Sequence, residues 1–234
     1  MIREDILADF KKVSSKEKAQ ILQRFFKTGK GEYGEGDIFI GVVVPEIRKL
    51  CKKYYKELSF NNLDYFMHSK IHEHRLFAIL CLTYKYEKAD EYEQRRIFDY
   101  YLKNTKYINN WDLVDLSAPK IVGRYLKDKD RDILYKLVKS NSLWEQRVAV
   151  LATASFIYDH DFKDILRFSE MLINHKHDLI HKAVGWMLRE VGKKDLNVLR
   201  KFLNKYATKM PRTMLRYSIE KFDKEERLMY LKKS

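Results

Sequence analysis

The chain has 234 residues, 47 of them Lys or Arg against 33 Asp or Glu, for a formal net charge of +14. Only 8 residues are Gly and 3 are Pro, where average usage gives roughly 12% for the pair. That shortage excludes β-sandwiches and barrels, which spend both residues on turns, and nucleotide-binding α/β folds with their glycine-rich loops.

What remains is a mostly helical globular protein with a basic surface, since 45% hydrophobic and 14% aromatic residues argue against disorder. Met1 to Asp5 carries no signal-peptide core. The longest apolar-rich run, Val148 to Tyr158, is too short to span a bilayer. The expectation is a cytoplasmic monomer with no membrane contact, and one domain over residues 1–234.

In chain order, Ser14-Ser15-Lys16-Glu17 predicts the start of a helix that buries Ile21, Leu22, Phe25 and Phe26. Residues 29–44 break the helical period, and Gly29 to Gly41 holds five of the eight glycines. No Gly-Lys-Ser/Thr closes this loop, so it is not a P-loop. Pro45 opens the next helix, with Ile47, Leu50, Cys51, Tyr54 and Tyr55 on its apolar side. Further helices are predicted from near Asn61, His72, Asp90, Asn109, Asp128, Ser142, Phe162, His177, Asp195, Pro211 and Asp223. Pro119 predicts a kink or break. Cys51 and Cys81 are expected as buried thiols rather than a disulfide.

Segments beginning at His72, Ile108, Trp144 and Ile180 repeat with a constant step of 36. Five residues into each stand Phe77, Leu113, Ala149 and Gly185; eight residues in stand Leu80, Leu116, Ala152 and Leu188. These positions lie about 60° apart on a helix and predict one core stripe. A helix pair per step of 36 predicts an all-α superhelix (solenoid) of HEAT-like helix pairs. A second stripe, away from the core, carries Arg75, Trp111 and Arg147 at the third position, with Asp115 and Trp186 nearby. Its bland reading is packing between repeats, with Asp115 paired to Arg147.

Three segments support a functional reading: Asn109-Asn110-Trp111-Asp112-Leu113-Val114-Asp115, Trp144-Glu145-Gln146-Arg147, and Lys182 to Glu190. Together with Phe39 to Arg48, they resemble the AlkD-like family of bacterial alkylpurine DNA glycosylases. The resemblance implies a C-shaped solenoid whose basic concave face cradles double-stranded DNA with alkylated bases. It implies a catalytic role for Asp115, an aromatic pair in Trp111 and Trp186 flanking the lesion deoxyribose, and a backbone contact from Arg147. Lys182 and Arg75 are expected as further DNA contacts, and Tyr33 as the N-terminal aromatic. Gln146 stands where family members often carry a second arginine.

The residue types fit the chemistry implied. A purine alkylated at N3 or N7 is cationic and leaves as a neutral base, so it needs little general acid. A fixed carboxylate can stabilise the oxocarbenium left on the sugar and orient the attacking water. Tryptophan faces can add roughly 0.5–2 kcal/mol each toward the cation, and an arginine on phosphate positions the duplex. No metal or organic cofactor is called for. His177 and His181 are spaced to share a helix face, as metal ligands can be, but no Glu follows His177 as a zinc protease helix would need and no Cys is nearby, so they, His175, His72 and His74 are expected at surface or capping positions. The other readings of this sequence are a non-catalytic DNA-binding protein of the same fold and a HEAT-like protein-interaction scaffold.

Overall fold

The computed structural model describes residues 2–233, with side chains as far as Lys232. The described residues are all-α, and the only β pairing among them is an isolated parallel bridge between Ile38 and Ile71. The helices group into two compact units, Met1–Ser117 and Ala118–Ser234.

The first unit contains α1 (Ile2–Val13), α2 (Lys16–Phe25), α3 (Val44–Tyr54), α4 (Phe60–Met67), α5 (His72–Lys88), α6 (Glu91–Lys103), a 3-10 turn (Thr105–Tyr107) and α7 (Trp111–Ser117). Start signals read from sequence are real caps here. The side chains of Ser15 and Asp90 accept backbone N–H bonds from Lys18 and Glu93; Ser59, two residues ahead of the start expected near Asn61, accepts from Asn62 in the same way. Helix α1 was not anticipated. Helix α5 is the axle of this unit, packed against α3, α4, α6 and α7, and every residue from His72 to Thr83 is buried.

The second unit opens with a π-helical turn (Pro119–Gly123). Then come α8 (Asp132–Leu137), α9 (Leu143–Ala152), α10 (Ala154–Tyr158), α11 (Lys163–Met171), α12 (Asp178–Lys194), α13 (Leu196–Tyr206), a 3-10 turn (Ala207–Lys209), α14 (Arg212–Ser218) and α15 (Lys224–Lys233). Pro119 does break the helical pattern: it starts the wider turn, in which Gly123 N–H bonds the Ala118 carbonyl at 2.9 Å. Helix α12 is the counterpart of α5, packed against α9, α11, α13 and α14.

The core stripe is found at seven of its eight positions. Leu116 is the exception, half-buried. Gly185 sits where α14 passes closest to α12, and a Cβ there would lie 2.6 Å from the Met214 carbonyl oxygen. Cys51 and Cys81 are buried, free thiols, and burial pushes Cys81 up. Helix α2 corrects one expectation: Phe26, just past its end, is buried, but Ile21 and Phe25 are 52% and 61% exposed. No helix among the described residues is long and apolar enough to cross a membrane.

Candidate functional site

The glycine-rich segment is not a free loop. Ile38 N–H donates to the Lys70 carbonyl (3.2 Å) and His72 N–H to the Ile38 carbonyl (2.8 Å). Three successive N–H groups, from Ile40, Gly41 and Val42, converge on the buried Glu73 carboxylate at 2.8–3.2 Å. Burial raises the Glu73 pKa, and these backbone donors pull against it. Gly41 is required here: its φ is +81°, and a Cβ would stand 2.0 Å from the Ser15 carbonyl oxygen. A Gly41→Ala variant is expected to lose about 1–3 kcal/mol or more, from strained backbone and overpacking. Chemical denaturation checks this; unchanged stability would remove the anchoring role of this turn.

Helix α7 sorts its two aspartates. Asp112 is buried, and its Oδ2 accepts from His72 Nε2 at 2.8 Å. Asp115, one turn after Trp111 and on the same face, is half-buried. It backs onto the fully buried Tyr101, whose phenol bonds Ser117 Oγ at 2.9 Å. Burial, aided by the charge of Asp115, pushes the Tyr101 pKa up.

Trp111 is half-buried, stacked on Phe26 with centroids 5.2 Å apart and planes 13° apart, and edge-on to Phe25 at 6.0 Å. Phe25 and Phe26 are thus aromatics that touch Trp111. The sequence did carry a signal for them, an aromatic pair ending an amphipathic helix just before the glycines. Tyr33 is half-buried in the glycine-rich segment, and its hydroxyl donates to the Phe25 carbonyl at 3.4 Å.

Arg75 corrects a second expectation. It is 3% exposed, and its Nη2 donates to Asp37 Oδ1 at 2.6 Å while Nη1 donates to the Ser69 carbonyl at 2.9 Å. A guanidinium committed in this way inside the core is not presented to a phosphate. His72 and His74 are likewise buried, not at the surface.

The remaining expected residues belong to the second unit. Arg147, on α9, is 4% exposed, and its Nη1 donates to the Leu179 carbonyl in the first turn of α12. The off-core position expected for it is thus a buried one, and any phosphate contact would have to come through a small exposed part of the side chain. Trp186 is half-buried on α12, with Nε1 donating to Glu190 Oε1 at 3.2 Å. Lys182 pairs with Asp178 at 2.8 Å, one turn earlier. Gln146 is half-buried, and its amide donates to the Ser140 carbonyl at 2.9 Å. His177 caps α12, its Nδ1 accepting from Leu179 N–H at 3.1 Å. Burial holds His175 and His177 below the usual histidine range. Among the described residues no group of three or more His, Cys, Asp or Glu could hold a metal ion.

The sequence matches the family model described as DNA alkylation repair enzyme over residues 6–222. The chain belongs to this family. A solved structure, described as a predicted DNA alkylation repair enzyme from Enterococcus faecalis, is similar in fold with a TM-score of 0.70. It shares 17% identity, over 90% of this chain and 97% of that one. No curated protein matches the chain. Family membership gives the Trp111/Asp115 face of α7 a context in DNA repair.

Proposed function

We propose that the protein is a DNA glycosylase that hydrolyses the N-glycosidic bond of cationic N3- or N7-alkylated purines in duplex DNA. The observation that carries this reading is that Asp115 and Trp111 stand one turn apart on the same half-buried face of α7, while Asp112 is turned inward to His72. A carboxylate held on a rigid helix costs no reorganisation when a cation develops beside it. Asp115 stabilises the oxocarbenium and orients water, and the tryptophan faces of Trp111 and Trp186 stabilise positive charge. Lys182 contributes to phosphate contact, and Tyr33 supports the N-terminal aromatics. The protein acts as a monomer in the cytoplasm, with a positive excess of 14 that favours DNA.

The test is incubation of the purified protein with duplex DNA containing N7-methylguanine or N3-methyladenine. Release of free base above the spontaneous rate is expected, with duplex affinity falling steeply as salt rises. Salt-sensitive binding without base release would replace this reading with a non-catalytic DNA-binding one.

A further inference from the structure

Four ionisable side chains meet inside the first unit, away from the exposed face of α7. Asp37 comes from the glycine-rich segment, His72 and Arg75 from α5, and Asp112 from α7; none is more than 6% exposed. His72 Nδ1 lies 3.0 Å from Asp37 Oδ2, and its Nε2 lies 2.8 Å from Asp112 Oδ2. A carboxylate only accepts, so both ring nitrogens must donate, and the ring is an imidazolium. With Arg75 on the other oxygen of Asp37, two cations face two anions and the group is neutral. Asn110 adds its amide to Asp37 at 3.4 Å, and its own Oδ1 accepts from Trp111 N–H at 2.8 Å.

Rings continue the connection. Phe39 stacks on His72 at 4.6 Å, Phe26 lies 4.9 Å from His72, and Phe26 stacks on Trp111. Just past the end of α2, Phe26 is the side chain that faces His72.

We propose that His72 is a positioning residue for the candidate site: by donating to Asp37 and Asp112 at once, it ties the glycine-rich segment to the first turn of α7 and sets where Trp111 and Asp115 stand. Asp112 is adjacent to Trp111 and three residues before Asp115, so a shift of its carboxylate moves both. Burial alone would lower the pKa of His72, but the charge and hydrogen bonds of Asp112 and the bond to Asp37 outweigh it. The tie therefore holds at neutral pH and opens in alkali.

The activity part of the test rests on the reading of α7 as the catalytic helix; the fluorescence part does not. In a Trp144→Phe/Trp186→Phe background, emission comes from Trp111 alone. Its acrylamide quenching is followed from neutral pH through the alkaline titration of His72. One step toward greater quenching is expected, and it is read on protein that retains His72 and both of its carboxylate partners. The companion is His72→Leu/Asp112→Asn, which removes one cation and one anion together and leaves Asp37 paired with Arg75. It is expected to lack the step, with Trp111 already quenched at neutral pH. With the native tryptophans restored, its single-turnover base release should fall ~10–100-fold, as a misplacement of about 1 Å does, with duplex affinity nearly unchanged. Absence of the alkaline step, or wild-type emission and wild-type release in the folded double variant, would overturn the proposal. If the unaltered protein releases no base, the glycosylase reading falls, and the quenching step still decides the role of His72.

Discussion

Asp115→Asn is expected to slow base release on the order of a hundred- to a thousandfold, the range seen when one preorganised electrostatic group is removed from a transition state. The amide keeps the shape of the side chain and loses its charge. Asp115 is half-buried and the isosteric amide keeps its packing, so any loss of stability should be small beside the loss in rate, about 1 kcal/mol or less. Binding should not weaken either, because removing a negative charge from a protein of net +14 favours a polyanion. The loss would therefore sit in the chemical step. Asp112→Asn makes the contrast: it strips one partner from a buried imidazolium, so it should lower stability first. Single-turnover release from an N7-methylguanine duplex, paired with thermal melts of both variants, checks the pair. Undiminished release by Asp115→Asn would end its catalytic assignment.

The helices were legible because their signals are local. Ser15, Asp90, Ser142 and Asp195 precede apolar periods, and each caps its helix through its own side chain. The repeated stripe was legible for a similar reason, since Phe77, Leu113, Ala149 and Leu188 all recur at helical spacing and are all buried.

The periodic argument failed at Arg75. It assumes that a helix has an outer face, and α5 has none over its first three turns. Four consecutive polar residues, His72-Glu73-His74-Arg75, are buried there. His74 bonds the nearby Ser69, but the charged partners are ones that no local pattern reveals: Asp37 and Asp112 lie 35 and 40 residues from His72 in the chain, and Asp37 lies 38 from Arg75. Glu73 reaches three backbone N–H groups of the glycine-rich segment. The same limit applied to Arg147, whose acceptor is a carbonyl in another helix. Helix α2 failed in the opposite sense. Its amphipathic pattern is real, yet Ile21 and Phe25 stay exposed, and Phe25 stands beside Trp111 instead of in the core. For the candidate site, the sequence located Trp111 and Asp115 on one helix face but not the buried charges behind them.

Arg75→Met supplies the sharpest test of that difference. Removing one member of a buried, hydrogen-bonded charge group typically costs about 3–5 kcal/mol, because the other charge stays behind. Here the charge left behind is Asp37, 5% exposed. A phosphate contact would behave otherwise: its loss would spare stability, weaken duplex binding and reduce the salt slope by about one. Protonation supplies a second signature. In the folded protein burial would raise the Asp37 pKa, but the His72 hydrogen bond and the Arg75 charge hold it below its usual value of 3.8. That contribution is present above the unfolded carboxylate range and is lost as pH falls through the folded value. Without Arg75 the carboxyl protonates more readily, so the deficit of Arg75→Met should be largest near neutrality and shrink in acid. His72 sets the other limit. Its pKa is lifted to about 9 from 6.5, so its contribution is complete below 6.5 and is lost as pH rises through about 9. Denaturant unfolding of both proteins across this range, with duplex affinity measured at several salt concentrations, separates the two roles. A variant that melts like the unaltered protein but binds DNA with a shallower salt slope would return Arg75 to the DNA surface. A large loss of stability with an unaltered slope is the expected result, because the positive charge of Arg75 is already spent on Asp37.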